Sequence, residues 1–275
     1  MTSRENNYHR ANDYPSPPPY TQIYSDYSTL DEEAQTEYSY LKGGFIKEKD
    51  ESDQLKFIRK VFGILTIQLL VTLAFVILFV SCKPLSIFVA HNLWLLLLSS
   101  VITFSLILLT WCGDLVRHTK GSIIFLSLIT FFQGFTVGAL CSFYNASVVF
   151  LSVGITTALV ASLMLFALQT KYSYLGAGPY LWLLILFLLF FSLVISLISF
   201  TNVLSYAQIK ILHLIVSLAF MLLFSFFIVY DTQCLLKGDH NLREKEHIFA
   251  ALVLYLDIIN LFVRILYFMG LLNDN

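Results

Sequence analysis

Charge is scarce in this chain. Asp, Glu, Lys and Arg make up 13% of the residues against 57% hydrophobic ones, with a mean hydropathy of +0.76. That balance excludes an ordinary water-soluble globular domain. Cysteine is equally sparse: Cys82, Cys112, Cys141 and Cys234 show no CxxC or zinc-type spacing, which removes metal and thioredoxin-like chemistry. There is no HExxH, no phosphate-cradling glycine loop, and no Ser/His/Asp set at one membrane depth. No enzyme and no cofactor are therefore expected. The first 56 residues lack the apolar core of a signal peptide, so the first span is expected to act as its own uncleaved targeting signal. The net charge of −1 is uninformative by itself, and no nucleic-acid partner is expected.

What is present is length of apolar run. A membrane-spanning helix needs about 20 largely apolar residues. Seven stretches qualify, at 61–81, 92–112, 122–143, 147–169, 180–200, 212–236 and 248–271. The expected architecture is an all-α membrane domain of seven helices over 57–275, preceded by a polar tail over 1–56. Cytosolic loops carry an excess of Lys and Arg. Lys47, Lys49, Lys56, Arg59, Lys60, Arg117, Lys120, Lys171, Lys237, Arg243 and Lys245 fall on one side, and only Lys83 and Lys210 on the other. The asymmetry predicts a cytosolic amino terminus, opposite to a G-protein-coupled receptor. A retinal-binding protein would need a lysine in span seven, and 248–271 has none.

The tail is rich in Tyr, Ser, Asp, Glu and Pro without helical or strand period, a composition that favours disorder. Pro17, Pro18, Pro19 and Tyr20 form a PPxY pattern. A preorganised polyproline segment of this kind docks into the aromatic groove of a WW domain, such as those of ubiquitin ligases; the plainer alternative is a stiff linker. Tyr20 with Ile23, Tyr27 with Leu30, and Tyr38 with Leu41 fit a tyrosine-based sorting signal, a pattern that recurs by chance in a Tyr-rich tail. Asn145 heads a glycosylation sequon on the non-cytosolic side, close to the bilayer surface, where modification is disfavoured. Cys82 and Cys141 both lie toward that side, within the reach of a disulfide pairing.

Spans four and five hold no ionisable residue, whereas Asp231 and Asp257 lie in spans six and seven. An intramembrane charge costs about 2.5–3.5 kcal/mol on insertion scales, so such groups face the bundle interior and pair or line a pathway. Counting helical rise, Asp257 is about 14 Å and Asp231 about 8 Å from the cytosolic end of its helix. A small tilt brings the two together, and like charges in a low-dielectric site share a proton rather than both ionise. Asn260 and Arg264 follow Asp257 at i+3 and i+7, which predicts a polar face turned to a cavity. The alternative is a static network in which Asp257 and Arg264 pair. Gln68, Gln133 and the Gly134/Gly138 pair read as interhelical glue and close packing, and His213 as an interfacial residue with pH-sensing capacity. An intramembrane aspartyl protease would place Gly-x-Gly before its second aspartate; here Leu-Tyr-Leu precedes Asp257.

FIRKVFGILTIQLLVT (57–72), VYDTQ (229–233) and FAALVLYLDIINLF (249–262) resemble the lifeguard branch of the Bax-inhibitor-motif family. The resemblance spans all seven helices. It implies a Bax-inhibitor-like fold and a protein that lets Ca²⁺ leak from intracellular stores and restrains apoptosis. Ca²⁺ would be the permeant ion, met transiently at an Asp231–Asp257 latch. It also implies membranes of the Golgi or endoplasmic reticulum, with endosome, lysosome or plasma membrane as alternatives. The partners it implies are membrane lipids and apoptosis regulators of the Bcl family or death receptors. Two departures stand out. Lys245-Glu246-His247 replaces an acidic pair at the start of span seven, leaving Glu246 as the acidic group there, and Gly121-Ser122 replaces a Pro and an Asn opening span three. A non-conducting adaptor acting through the tail and a Ca²⁺/H⁺ exchanger are the competing readings.

Overall fold

The computed structural model describes residues 51–112, 119–172, 174–201, 203–237 and 247–273. The described residues form helices throughout: α1 (Glu51–Ser81), α2 (Lys83–His91), α3 (Leu93–Cys112), α4 (Thr119–Cys141), α5 (Ala146–Gln169), α6 (Gly178–Thr201), α7 (Tyr206–Lys237) and α8 (His247–Asn273), with a 3₁₀ turn at Leu175–Ala177 ahead of α6. All but α2 are long and apolar enough to cross a membrane, so the seven expected spans are present. With each crossing, α1, α4, α6 and α8 run away from what is called here the near face, and α3, α5 and α7 return to it. The tail motifs at 15–41 and the loop carrying Glu246 lie outside the described residues.

Sequence alone did not anticipate α2, whose nine residues are too few to span. Pro84 is its second residue, tolerated in the first turn because the missing N–H would be unpaired there anyway. Val89 anchors it in a small cluster with Phe79 and Ala139, and Asn92 closes it by donating Nδ2 to the Phe88 carbonyl at 2.9 Å.

The first helix shows how a nearly uniform apolar run chooses an inner face. Phe57, Val61, Leu65, Gln68, Thr72, Val76 and Phe79 are all buried, a stripe of three- and four-residue steps along one side. The residues between them, such as Ile67, Leu70 and Val71, are exposed. This stripe meets α4, where glycine permits close approach. A Cβ on Gly134 would stand 2.8 Å from the Phe75 ring, and one on Gly138 2.8 Å from Phe79 and 2.9 Å from the Phe75 carbonyl oxygen. The small-xxx-small spacing therefore serves packing, as expected.

At the centre is α8, which packs on α1, α4, α5 and α7. In its most apolar 18-residue stretch, 67% of the residues are buried, against 11% for α3 and α6. Its far end is held where Gly270 lies under the ring of Tyr144, from the turn joining α4 and α5. Its near end meets α1, with His247 edge-on to Phe57 at a centroid distance of 6.5 Å. Cys82 and Cys141 are free thiols, so the disulfide that their shared membrane side allowed is not formed. Cys141 is buried within the core and Cys82 is exposed after α1, so their side chains occupy different environments.

Candidate functional site

Burial on every side makes α8 the place where a polar side chain must find a partner, since lipid and apolar core supply none. Asp257 is 8% exposed, and its carboxyl group is hydrogen-bonded to that of Asp231 on α7. A hydrogen bond between two carboxyl groups exists only where one carries a proton to donate. The two carboxyl groups can therefore hold this contact only while at least one of them keeps its proton. Asp257 Oδ2 has no hydrogen-bond partner, which leaves acceptor capacity inside the bundle.

The residues around Asp231 tie α7 to other parts of the bundle. Asp231 and Thr232 are adjacent, and Thr232 is fully buried with its hydroxyl unpartnered. Gln233, also fully buried, grips the connection between α5 and α6. Its Oε1 accepts from the Tyr174 N–H at 2.9 Å and its Nε2 donates to the Tyr172 carbonyl at 3.0 Å. Tyr230 lies against Gly178 at the start of α6, in space that a Cβ would fill. Three of the four side chains at 230–233 of α7 thus make contacts in the near half of the bundle, and of these only Asp231 was singled out by its chemistry. A glutamine at the end of an apolar run carries no charge penalty to draw attention.

A second polar contact ties α8 to α1. Tyr255 Oη lies 2.8 Å from Thr72 Oγ1, and the Thr72 hydroxyl donates to the Gln68 carbonyl at 2.9 Å, so Tyr255 is the donor between them. Gln68 Nε2 in turn donates to Thr130 Oγ1 of α4 at 3.0 Å, leaving Gln68 Oε1 buried and unpartnered. Gln68 therefore acts as the interhelical glue expected of it. Tyr255 and Asp257 are two residues apart, about 200° around the helix, so α8 presents polar groups to α1 and α7 at once.

The stripe below Asp257 divides. Arg264 does not pair with Asp257; its guanidinium lies over the Phe220 ring at 4.0 Å to the centroid, toward the far face. Asn260 is the one exposed position between Ala250 and Gly270 and does not face an enclosed cavity, which corrects the expectation from helical spacing. His213 is half-buried, its Nδ1 3.4 Å from Tyr267 Oη. Asn145 is exposed at the start of α5. Among the described residues no group of three or more His, Cys, Asp or Glu comes together to hold a metal ion.

Most of the chain is similar to known proteins. Residues 54–274 match the family model described as inhibitor of apoptosis-promoting Bax1. The human protein named Protein lifeguard 3 is 31% identical over 216 residues, covering 78% of this chain and 68% of that protein. Bax inhibitor 1 of Schizosaccharomyces pombe is 31% identical over 238 residues, 84% of this chain and 82% of that protein. Protein LIFEGUARD 3 of Arabidopsis thaliana is 36% identical over 216 residues, 76% and 82% respectively. The family model reaches from the first turns of α1 to the end of α8, and two of these three relatives carry the lifeguard name. The chain belongs to the Bax-inhibitor-motif family of membrane proteins, in its lifeguard branch.

Proposed function

We propose that this protein is a pH-sensitive Ca²⁺ leak channel of intracellular membranes that restrains apoptosis by lowering store Ca²⁺. The observation that carries the reading is the buried hydrogen bond between Asp231 and Asp257. With a proton shared, the pair joins α7 to α8 near the near face. When the proton leaves, two carboxylates in a low-dielectric site repel and the join is lost. The freed oxygens are hard ligands of the kind Ca²⁺ prefers, but the ion takes six to eight of them, so two carboxylates favour passage over retention. The sign follows: flux is low where the pair keeps its proton and rises as pH increases. The charge pattern of the loops supports a cytosolic near face, in the Golgi or endoplasmic reticulum. Glu246, one residue before α8 in the sequence, adds a negative charge that would attract cations.

The test is Ca²⁺ release from liposomes holding the purified protein, over roughly pH 6–8. Wild type is expected to show flux that rises with pH. Asp257→Asn keeps a permanent donor and is expected to stay closed at every pH, whereas Asp257→Ala removes the join and is expected to leak at every pH. A wild-type flux that ignores pH would sink the latch.

The PPxY segment at Pro17–Tyr20 supports a second reading, a membrane adaptor that recruits WW-domain ubiquitin ligases and acts in death-receptor or trafficking control. It predicts that deleting residues 1–41 destroys function while Asp257→Asn leaves it intact. A Ca²⁺/H⁺ exchanger differs from a leak in driving proton counterflow, which an internal pH dye reads in the same liposomes.

A further inference from the structure

Away from the carboxyl pair, in the far half of the bundle, there is a second polar centre. Ser192 and Ser196 of α6, His213 and Ser217 of α7, and Arg264 and Tyr267 of α8 line a cavity of about 100 Å³, completed by two aliphatic side chains. By helical rise, Arg264 is about 14 Å from the end of α8, His213 about 10 Å from the start of α7, and Ser196 about 8 Å from the end of α6. All three helices are longer than a hydrocarbon core of about 30 Å requires, so the cavity lies just below the membrane surface. Ser196 is exposed, so the cavity opens outward at α6.

Its chemistry is one-sided. Arginine keeps its charge in any protein setting, and a cation within a span is normally met by a counter-charge. No acidic side chain lines this cavity among the described residues. The contact that the guanidinium does have, the Phe220 face, attracts a cation without neutralising it. Around it stand further donors. Ser192 and Ser196 carry hydroxyl groups, and the His213–Tyr267 pair, joined Nδ1 to Oη at 3.4 Å, has one donor left over, Nε2–H or the phenol O–H according to the tautomer. Ser217 is already committed, donating to the Arg264 carbonyl at 3.1 Å. One fixed positive charge, several converging donors and no acid complement an anion. The volume is well above the roughly 10–15 Å³ that one water needs on the same measure, which leaves room for a small oxyanion.

We infer that this cavity binds a single phosphate-type anionic group, held by the Arg264 fork with Ser192 and Ser196 closing on its oxygens. A guanidinium matches phosphate geometry through paired N–H donors. The group has two sources: the headgroup phosphate of an anionic lipid entering at Ser196, or inorganic phosphate from the aqueous phase. The inference does not depend on ion conduction.

The experiment is thermal unfolding of the full chain in phosphatidylcholine nanodiscs, followed by tryptophan fluorescence. In one arm phosphatidylglycerol is added to the bilayer; in the other, inorganic phosphate is added to the buffer at fixed ionic strength. A ligand of the folded state raises Tm by mass action. A rise with phosphatidylglycerol alone assigns the site to a lipid, and a rise with phosphate assigns it to an aqueous anion. In either case Arg264→Gln is expected to abolish the response. Ser192→Ala, which leaves the charge in place, is expected to weaken the apparent affinity about threefold to tenfold. Should Arg264→Gln not fold, the wild-type and Ser192→Ala titrations decide. No wild-type response in either arm overturns the inference, and so does a response that these variants leave unchanged.

Discussion

Helices α6 and α8 are close in length, 24 and 27 residues, and both are apolar throughout most of their course. They nevertheless occupy opposite environments. The more apolar α6 buries only Gly178, Leu188 and Ile195, while α8 buries residues on every face. In water the more apolar segment would go inside. In lipid, apolar side chains gain nothing by leaving the surface, so the interior goes to the helix whose polar groups need partners. Asp257, Tyr255 and Arg264 mark α8 as central more clearly than its hydropathy does.

Substitutions can break that contrast or sharpen it. The largest effect is expected at the glycine contact that lets α1 and α4 close beside α8. Gly138→Leu meets the Phe75 backbone oxygen, which no side-chain rotation relieves. A loss of about 3 kcal/mol is expected, read as a lower unfolding midpoint in detergent. Next is Gln233→Ala, which leaves the Tyr174 N–H and Tyr172 carbonyl without their partner. A loss of about 1–2 kcal/mol is expected, with faster hydrogen exchange at the Tyr174 amide. Tyr255→Phe removes one interhelical hydrogen bond and is expected to cost about 0.6 kcal/mol, the usual scale inside a membrane. At the small end, Leu186→Ala on α6, at a 61% exposed position, is expected to stay within about 0.5 kcal/mol of wild type. A large loss at Leu186 would show that α6 packs against protein rather than lipid, and the contrast with α8 would fail.

The sequence shows spans more readily than contacts. Run length alone placed all seven crossings, because lipid imposes one minimum length on every spanning helix. The Asp231–Asp257 pairing was legible for a related reason: intramembrane charge is costly enough to require an explanation. Neutral polar groups give a weaker signal. Thr72 and Tyr255 read as ordinary members of apolar runs, although they join α1 to α8. Helical spacing put Asn260 on one face with Asp257 and Arg264, but a step of three residues turns about 300°, enough to carry its side chain out of the interior. Cys82 and Cys141 share a membrane side without sharing an environment, and depth along a helix cannot distinguish the two cases.

The grip of Gln233 on the α5–α6 connection has a mechanical consequence. Asp231 and Gln233 sit on the same turn of α7, one engaged with α8 and the other with Tyr172 and Tyr174. A rigid turn cannot shift one without moving the other. Any displacement of α7 that follows loss of the carboxyl proton is therefore transmitted to a loop whose Tyr172 is 76% exposed. A change of charge at the carboxyl pair would thereby acquire a lever arm at the surface, where a fluorescent or spin label at position 172 would register it without touching either aspartate.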